Sequence, residues 1–259
     1  MPDPASEAGD QPGVDPESLG VCRAMRTTPA VRDYAAADLP DETLFEILDD
    51  ARFAPNGANR QAWHVTIVRD RSTRERIAEL YKLGFAEYVG FHAAGLVPFV
   101  ASEAHWRNPP AGPAEPAIDL DAARQVSLPP GTQDHIAKAP VLLVITIDLT
   151  NISAVDSGLG RLSISAGASV YPFAHNILLA ARARGYGGHI TSVLARQEPA
   201  LRELLHIPPE HVLATMLPIG KPVKMVTKLR RQPVESFATV DTFDGSPFRE
   251  PSGGSQRSA

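Results

Sequence analysis

Apolar positions along this chain recur at two periods, and the changes of period mark out helices and strands. Asp41 precedes Leu44, Phe45, Ile47, Leu48 and Ala51, a stripe at spacings of three and four behind an acidic first turn, which predicts a helix. The stripe stops at Pro55-Asn56-Gly57, a turn signal. Trp63-His64-Val65-Thr66-Ile67-Val68 is rich in β-branched and aromatic residues and reads as a strand. Ser72-Thr73-Arg74-Glu75 matches a capping box, and Ile77, Ala78, Leu80 and Tyr81 continue one helical face behind it. Val141 to Ile147 is almost wholly apolar, as a strand covered on both faces would be.

Residues 163–184 carry Ile164, Ala168, Tyr171, Phe173, Ala174, Ile177, Leu178 and Ala181 before ending at Gly185. That helix is apolar on most sides, which predicts burial between layers or between subunits. A short helix at 198–206 has Pro199 in its first turn and Leu201, Leu204 and Leu205 inward, and Val212 to Ile219 supplies a further strand. Strands separated by helices in unequal order predict an α+β or mixed three-layer fold. Residues 83–135 stand apart, with Pro109, Pro110, Pro113, Pro116, Pro129 and Pro130 among Phe91, Phe99 and Trp106. This reads as a long irregular flap, partly ordered by its aromatics. Residues 1–16 and 245–259 read as structureless tails around a domain spanning 17–244.

Composition narrows the function classes. Apolar residues make up 43% of 259 and charged residues 21%, as in globular chains generally, and the formal net charge is -5. The basic residues form no dense run before Lys228-Leu229-Arg230-Arg231, so nucleic acid is not an expected partner. Asp3, Glu7, Asp10, Asp15 and Glu17 precede the first basic residue, Arg23, and no apolar run follows, which is unlike a secretory or transit leader. No stretch approaches the about 20 apolar residues of a membrane span. A soluble cytoplasmic protein is therefore expected, in which Asn151-Ile152-Ser153 is a chance sequon. The lone Cys22 allows no internal disulfide, and on an amphipathic helix it reads as a small buried residue.

Familiar catalytic signatures are missing. Gly185-Tyr186-Gly187-Gly188 starts like a dinucleotide turn but has Ile190 where a third glycine belongs, and it follows a helix. There is no Walker A motif, no HExxH and no Gly-x-Ser-x-Gly, and His64, His175 and His189 lack ligand spacing, so no metal site is expected. Three polar clusters remain. Met25-Arg26-Thr27-Thr28-Pro29-Ala30-Val31-Arg32-Asp33-Tyr34 could bind a phosphate or form a solvated helix end. Ala54 to Trp63 presents Asn59 and Gln61, whose amides both donate and accept, as a flavin pyrimidine edge requires and as ordinary turns also show. Lys228 to Glu235 is a second basic stretch, useful to the first only if folding or dimerisation joins them.

In this order and spacing the clusters resemble the nitroreductase family over about residues 20–240. The matching segments are Val31-Arg32-Asp33-Tyr34, Ala54 to Trp63, Gly185-Tyr186-Gly187, Ile219-Gly220-Lys221-Pro222 and Arg231-Gln232-Pro233. Departures are Thr28 at the family's first arginine, with Arg26 two residues displaced, Asn56 for a serine, Ala62 for a proline and Lys221 for a tyrosine.

The resemblance implies an α+β three-layer fold, a mixed central sheet flanked by helices, in an intertwined homodimer with FMN between subunits. It implies that Arg32 lies near the flavin and its ribityl–phosphate arm, with Asn59 and Gln61 at the pyrimidine edge. Gly188, His189 and Ile190 would pass over the central ring, and Arg231 with Arg230 would hold the phosphate, along with Arg26 or Thr28. NADH or NADPH would then be co-substrate and an electron-poor nitroaromatic or quinone the acceptor, with Phe91, Phe99 and Trp106 covering it. The flavin carries the chemistry, so no catalytic side chain is expected. Oxygen-linked dehydrogenation or flavin breakdown, and a non-enzymatic FMN carrier, remain open beside the reductase.

Overall fold

The computed structural model describes residues 20–96, 118–161 and 163–250. Phe99 and Trp106, and the tails at 1–16 and 251–259, lie outside the described residues.

The chain builds α1 (Val21–Thr27), α2 (Asp41–Ala51), β1 (Trp63–Val68), α3 (Arg71–Ala93), α4 (Leu120–Arg124), α5 (Asp134–Lys138) and β2 (Val141–Asp148). It continues through α6 (Tyr171–Ala183), β3 (Gly187–Gly188), α7 (Glu198–Leu205) and β4 (His211–Gly220). The strands form one sheet in the order β1-β2-β4-β3, and every pairing among them is antiparallel.

Two covered faces explain the apolar run of β2. Val141, Leu143, Ile145 and Ile147 join α2 and α6 residues such as Leu44, Ile47, Phe173 and Ile177 in one core. Leu142 and Val144 face the other way, toward Ile77 and Tyr81 of α3, Ile136 of α5 and Leu201 of α7. Alternation along a strand thus produces three layers from one continuous apolar segment. Trp63 closes one end, stacked on Phe173 at a centroid distance of 4.6 Å.

Several boundaries differ from the expected ones. The cap of α3 is Asp70 rather than Ser72, because its carboxylate takes the Thr73 amide at 2.7 Å and the hydroxyls of Ser72 and Thr73 as well. The stretch from residue 83 is not irregular at its start: α3 runs on to Ala93, with Phe91 buried. It does so because Tyr81, Gly84, Ala86, Glu87 and Phe91 keep a buried face on one side. The return arm, α4, is tied back through Glu87, which is fully buried and meets Arg124 and Arg196 at 2.7 Å each. Residues 163–184 are not one helix. A 3-10 turn at Ser165–Ser169 precedes α6, and the Asp156 carboxylate holds the loop before it by accepting from Ser163, Ile164, Ser165 and Arg161. Residues 245–250, expected in a tail, fold back so that the Phe248 amide reaches the Ala238 carbonyl at 2.9 Å. Among the described residues no helix is long and apolar enough to cross a membrane.

Candidate functional site

Residues 31–35 leave α1 extended and dock along the edge formed by β3 and the end of β4. The Val31 amide donates to the Gly188 carbonyl at 2.9 Å, Ala35 to Lys221, and Val223 back to Asp33. Glycine is required where the chains meet. A Cβ on Gly188 would stand 2.2 Å from the Pro218 carbonyl oxygen, and one on Gly187 would stand 2.7 Å from Val31. This docking places the exposed Arg32 beside Gly188, His189 and the partly exposed Ile190, joining two clusters that the sequence separates by more than 150 positions.

Arg32 sets the field over the polar residues beneath it. His189 is buried, and its Nδ1–H donates to the Val31 carbonyl at 2.9 Å. Burial pushes the His189 imidazolium down to about 4, and the Arg32 charge acts in the same direction. His135 is also lowered, chiefly by burial and then by Arg32. Burial raises the phenols of Tyr34 and Tyr81, against the pull of Arg32. All four groups are therefore neutral around Arg32 near pH 7.

A second feature opens around α1. Cys22, Arg23, Met25, Arg26 and Thr27 form one wall of a cleft of about 910 Å³, and Thr227, Lys228, Leu229 and Arg231 form the other. Among the described residues four cations and no acid line it, with Met25 and Leu229 as apolar patches. Arg26 and Arg231, expected from the two ends of the chain, thus meet within a single fold. Cys22 is exposed here, not buried as expected, because the short α1 turns its Ala24 side inward. Thr28 has its hydroxyl on the Ala24 carbonyl at 2.7 Å, and Arg230 lies outside the cleft, exposed beside Arg231.

Asn59 and Gln61 are not brought to either feature. Asn59 ends a 3-10 turn whose Gly57 amide donates to Ser169 Oγ at 3.0 Å, and Gln61 follows two residues later. Their loop leads into Trp63, which pairs with Ile147, whereas Gly188 pairs with Ile219 and so lies opposite Val141. Six strand steps at about 3.3 Å each put the two ends of the sheet roughly 20 Å apart. Ala58, Asn59 and Gln61 all have positive φ, at 51°, 54° and 50°. Three non-glycine residues in left-handed geometry within four positions store conformational strain of the kind that gathers at binding sites.

Sequence reasoning missed Arg23 and singled out Lys228 only as part of a run. Arg23 stands three residues before Arg26, a spacing that shares a helix face and could have revealed it. His135 and Tyr81 reach His189 only through tertiary packing, with ring centroids 5.2 Å (His135–His189) and 5.3 Å (Tyr81–His135) apart, and no local signal announces them. No group of three or more potential metal ligands occurs among the described residues.

A three-layer α+β body, an arginine over a backbone ledge and a cation-lined cleft together define a protein suited to an anionic ligand. The chain belongs to the nitroreductase family, whose model matches residues 25–221. Nitroreductase NfnB of Mycolicibacterium smegmatis is 34% identical over 65 residues, covering 25% of this chain and 27% of that protein. The matched stretches span only 27% to 36% of the curated relatives' lengths. Among solved structures, the NADPH:FMN oxidoreductase from Vibrio harveyi complexed with NAD+ has a TM-score of 0.60 at 16% identity, over 86% of this chain and 77% of that one. Oxidized iodotyrosine deiodinase bound to FMN and 3-iodo-L-tyrosine has a TM-score of 0.58 at 21% identity, over 85% and 98%. These structures share the fold.

Proposed function

We propose that this protein is an FMN-dependent oxidoreductase that passes hydride from NADH or NADPH to an electron-poor acceptor, such as a nitroaromatic or quinone, in two half-reactions at one site. The observation that carries the reading is the cleft that joins Arg23 and Arg26 to Lys228 and Arg231 in a chain of this family. A phosphate monoester brings about two negative charges, and charge-assisted hydrogen bonds from such a cluster fit it. FMN supplies the redox chemistry when bound, so the protein's tasks are holding, orienting and electrostatic support.

In this reading Arg26 and Arg231 hold the phosphate. Gly188, His189 and Ile190 offer a backbone ledge along which Val31 docks. Arg32 supplies positive charge beside that ledge and favours an anionic ring, as a preorganised charge does. Asn59 and Gln61, at the far end of the sheet, would reach the same ring only from a second copy, which makes the site a property of a homodimer. Exposed Phe237 (70%), Phe243 (101%) and Phe248 (54%) on the C-terminal arm give that second copy apolar surface to cover. The domain reading of one flavin-binding unit over 17–244 belongs to the same proposal, whereas of the expected flap at 83–135 residues 83–93 belong to α3 and 97–117 lie outside the described residues.

Anaerobic stopped-flow reduction of the FMN-reconstituted protein tests it. Saturable bleaching by NADH or NADPH, faster than for free FMN, is the expected result. Flavin that binds but is bleached by neither donor would remove the reductase reading and leave oxygen-linked dehydrogenation or a carrier. Failure to bind FMN would remove the cofactor assignment itself.

A further inference from the structure

The turn between Ala54 and Ala62, both buried in the core, is held in an uncommon shape by its own side chains. Ala58, Asn59 and Gln61 all take positive φ. That region is costly for a residue with a Cβ and persists only where neighbouring groups over-determine it. Within the turn, the Asn59 amide donates to the Asn56 carbonyl and the Arg60 amide to the Gly57 carbonyl, at 3.2 Å each. From outside, Ser169 Oγ accepts from the Gly57 amide, and Asn151 Nδ2 donates to the Arg60 carbonyl at 3.2 Å. These contacts act on the turn up to Arg60 and stop short of Gln61.

Gln61 itself is fixed by Asn56. Asn56 Oδ1 accepts from the Gln61 amide at 2.9 Å, and Asn56 Nδ2 donates to the Ala54 carbonyl at 3.2 Å. Both partners are backbone groups of opposite kind, one only a donor and one only an acceptor, so the orientation of the carboxamide is determined. One side chain thus ties the far end of the turn to a residue anchored in the core. The link continues outward, because Gln61 Nε2 donates to the Asn59 carbonyl and to Asn59 Oδ1, at 3.3 Å each. A line of contacts therefore runs from Ala54 through Asn56 to the backbone of Gln61, and from the Gln61 side chain to Asn59.

We propose that Asn56 is a positioning residue, which holds residues 58–61 in their left-handed form before any ligand arrives and presents Asn59 and Gln61 as one preformed pair of amides. A ligand that meets a preformed pair does not have to order two flexible side chains, and affinity is gained by what is not spent on ordering. Asparagine suits the place because its carboxamide carries a donor and an acceptor on one rigid group. Alanine would leave the Gln61 amide free, and aspartate would set a second acceptor against the Ala54 carbonyl. The brace stands on these hydrogen bonds, and only the identity of the ligand as a flavin rests on the proposed function.

The test compares the full chain before and after flavin loading. Without flavin, proton NMR should show the strong HN–Hα cross-relaxation of positive φ at Ala58, Asn59 and Gln61, and the Gln61 amide should exchange slowly although the residue is exposed. In Asn56→Ala the signature at Gln61 should disappear and its amide should exchange freely, while the amides that pair β1 with β2 stay protected. FMN and riboflavin should then both bind about tenfold more weakly, the loss expected of one hydrogen bond. Equal loss for the two ligands separates this turn from the phosphate contacts. Adding Ala58→Gly, which frees one left-handed residue of its Cβ, should recover roughly threefold of that affinity. Fast exchange at Gln61 in the wild type would overturn the proposal, and this measurement decides should Asn56→Ala fail to fold. Unchanged turn signals or unchanged flavin affinity in Asn56→Ala would overturn it as well. A wild type that shows the braced turn and its release in Asn56→Ala, yet binds neither FMN nor riboflavin, would support the brace and remove the flavin reading.

Discussion

Taking the protein from pH 7 to pH 5 is expected to cost the fold about 2 kcal/mol through His189 alone, since a buried imidazole must stay neutral while its unfolded counterpart takes up a proton. The unfolded value lies near 6.5 and the folded one at about 4. Because the folded pKa of this base is depressed, its contribution is complete above about pH 6.5 and declines as pH falls, by up to roughly 1.4 kcal/mol per unit, until it levels off near pH 4. For a chain of this size that corresponds to a drop in Tm of about 4–8 °C. His135, depressed for the same reason, steepens the slope. The carboxylates held low by hydrogen bonds, Asp70 at about 2 and Asp156 lower still, release their share only at more acid pH, so the window belongs to the histidines. The assay is urea unfolding at half-unit pH steps, comparing wild type with His189→Phe. The variant should lose up to one proton's worth of slope between pH 7 and 5, whatever its stability at neutral pH. Parallel decline of the two proteins would refute the assignment of His189 as a buried neutral group.

Other expectations concern separate parts of the molecule. Arg26→Gln and Arg231→Gln should each weaken FMN binding about 10- to 100-fold, as loss of a charge-assisted hydrogen bond does, while riboflavin binding stays level; equal losses for both ligands would show that the cleft does not read phosphate. Replacing both Arg124 and Arg196 with alanine leaves the buried Glu87 carboxylate without either cation, the Gln197 amide still donating at 3.2 Å, and should cost about 3–5 kcal/mol in denaturant unfolding. Glu87→Gln should cost less, about 2 kcal/mol, because both arginines are 31–39% exposed and can turn to water. Gly188→Ala has no room at the Pro218 carbonyl and should lower Tm sharply; a melt like the wild type's would mean the ledge is looser than its geometry implies. In Asp156→Ala the amides of Ile164 and Ser165 should become fast-exchanging by hydrogen exchange, with the core unaffected.

The core elements were legible because their signals are local. The stripe behind Asp41, the strand at Trp63 and the doubly covered strand at Val141 each carry their period within a few residues, and the structure places them at α2, β1 and β2. The breaks were harder. Asp70 outcompetes Ser72 as a cap through three-dimensional hydrogen bonding, and Asp156 stops the helix expected from 163 by gathering the loop around its carboxylate. At the site, the basic clusters could be seen as clusters but not as neighbours, since only the docking of residues 31–35 on β3 and the return of 227–231 to α1 bring them together. Cys22 misled because an amphipathic pattern of seven residues is too short to settle which side faces inward. The His135–His189 contact had no sequence signature at all.

The anchoring around Glu87 has a consequence for how such a protein can diversify. Gly90 on α3 lies so close to Ile118 and Ala123 that a Cβ there would stand 3.1 Å and 2.7 Å from their side chains. The described residues on either side of 97–117 are therefore held together at one clasp, joined by the Glu87–Arg124 pair. Closing a loop across a fixed gap costs only about 0.6 kcal/mol for each doubling of its length. Segments of quite different size and chemistry can be exchanged at this clasp while the sheet, the ledge and the cationic cleft stay as they are. The clasp is a graft point, at which evolution or an engineer can change the intervening sequence without rebuilding the body that carries it.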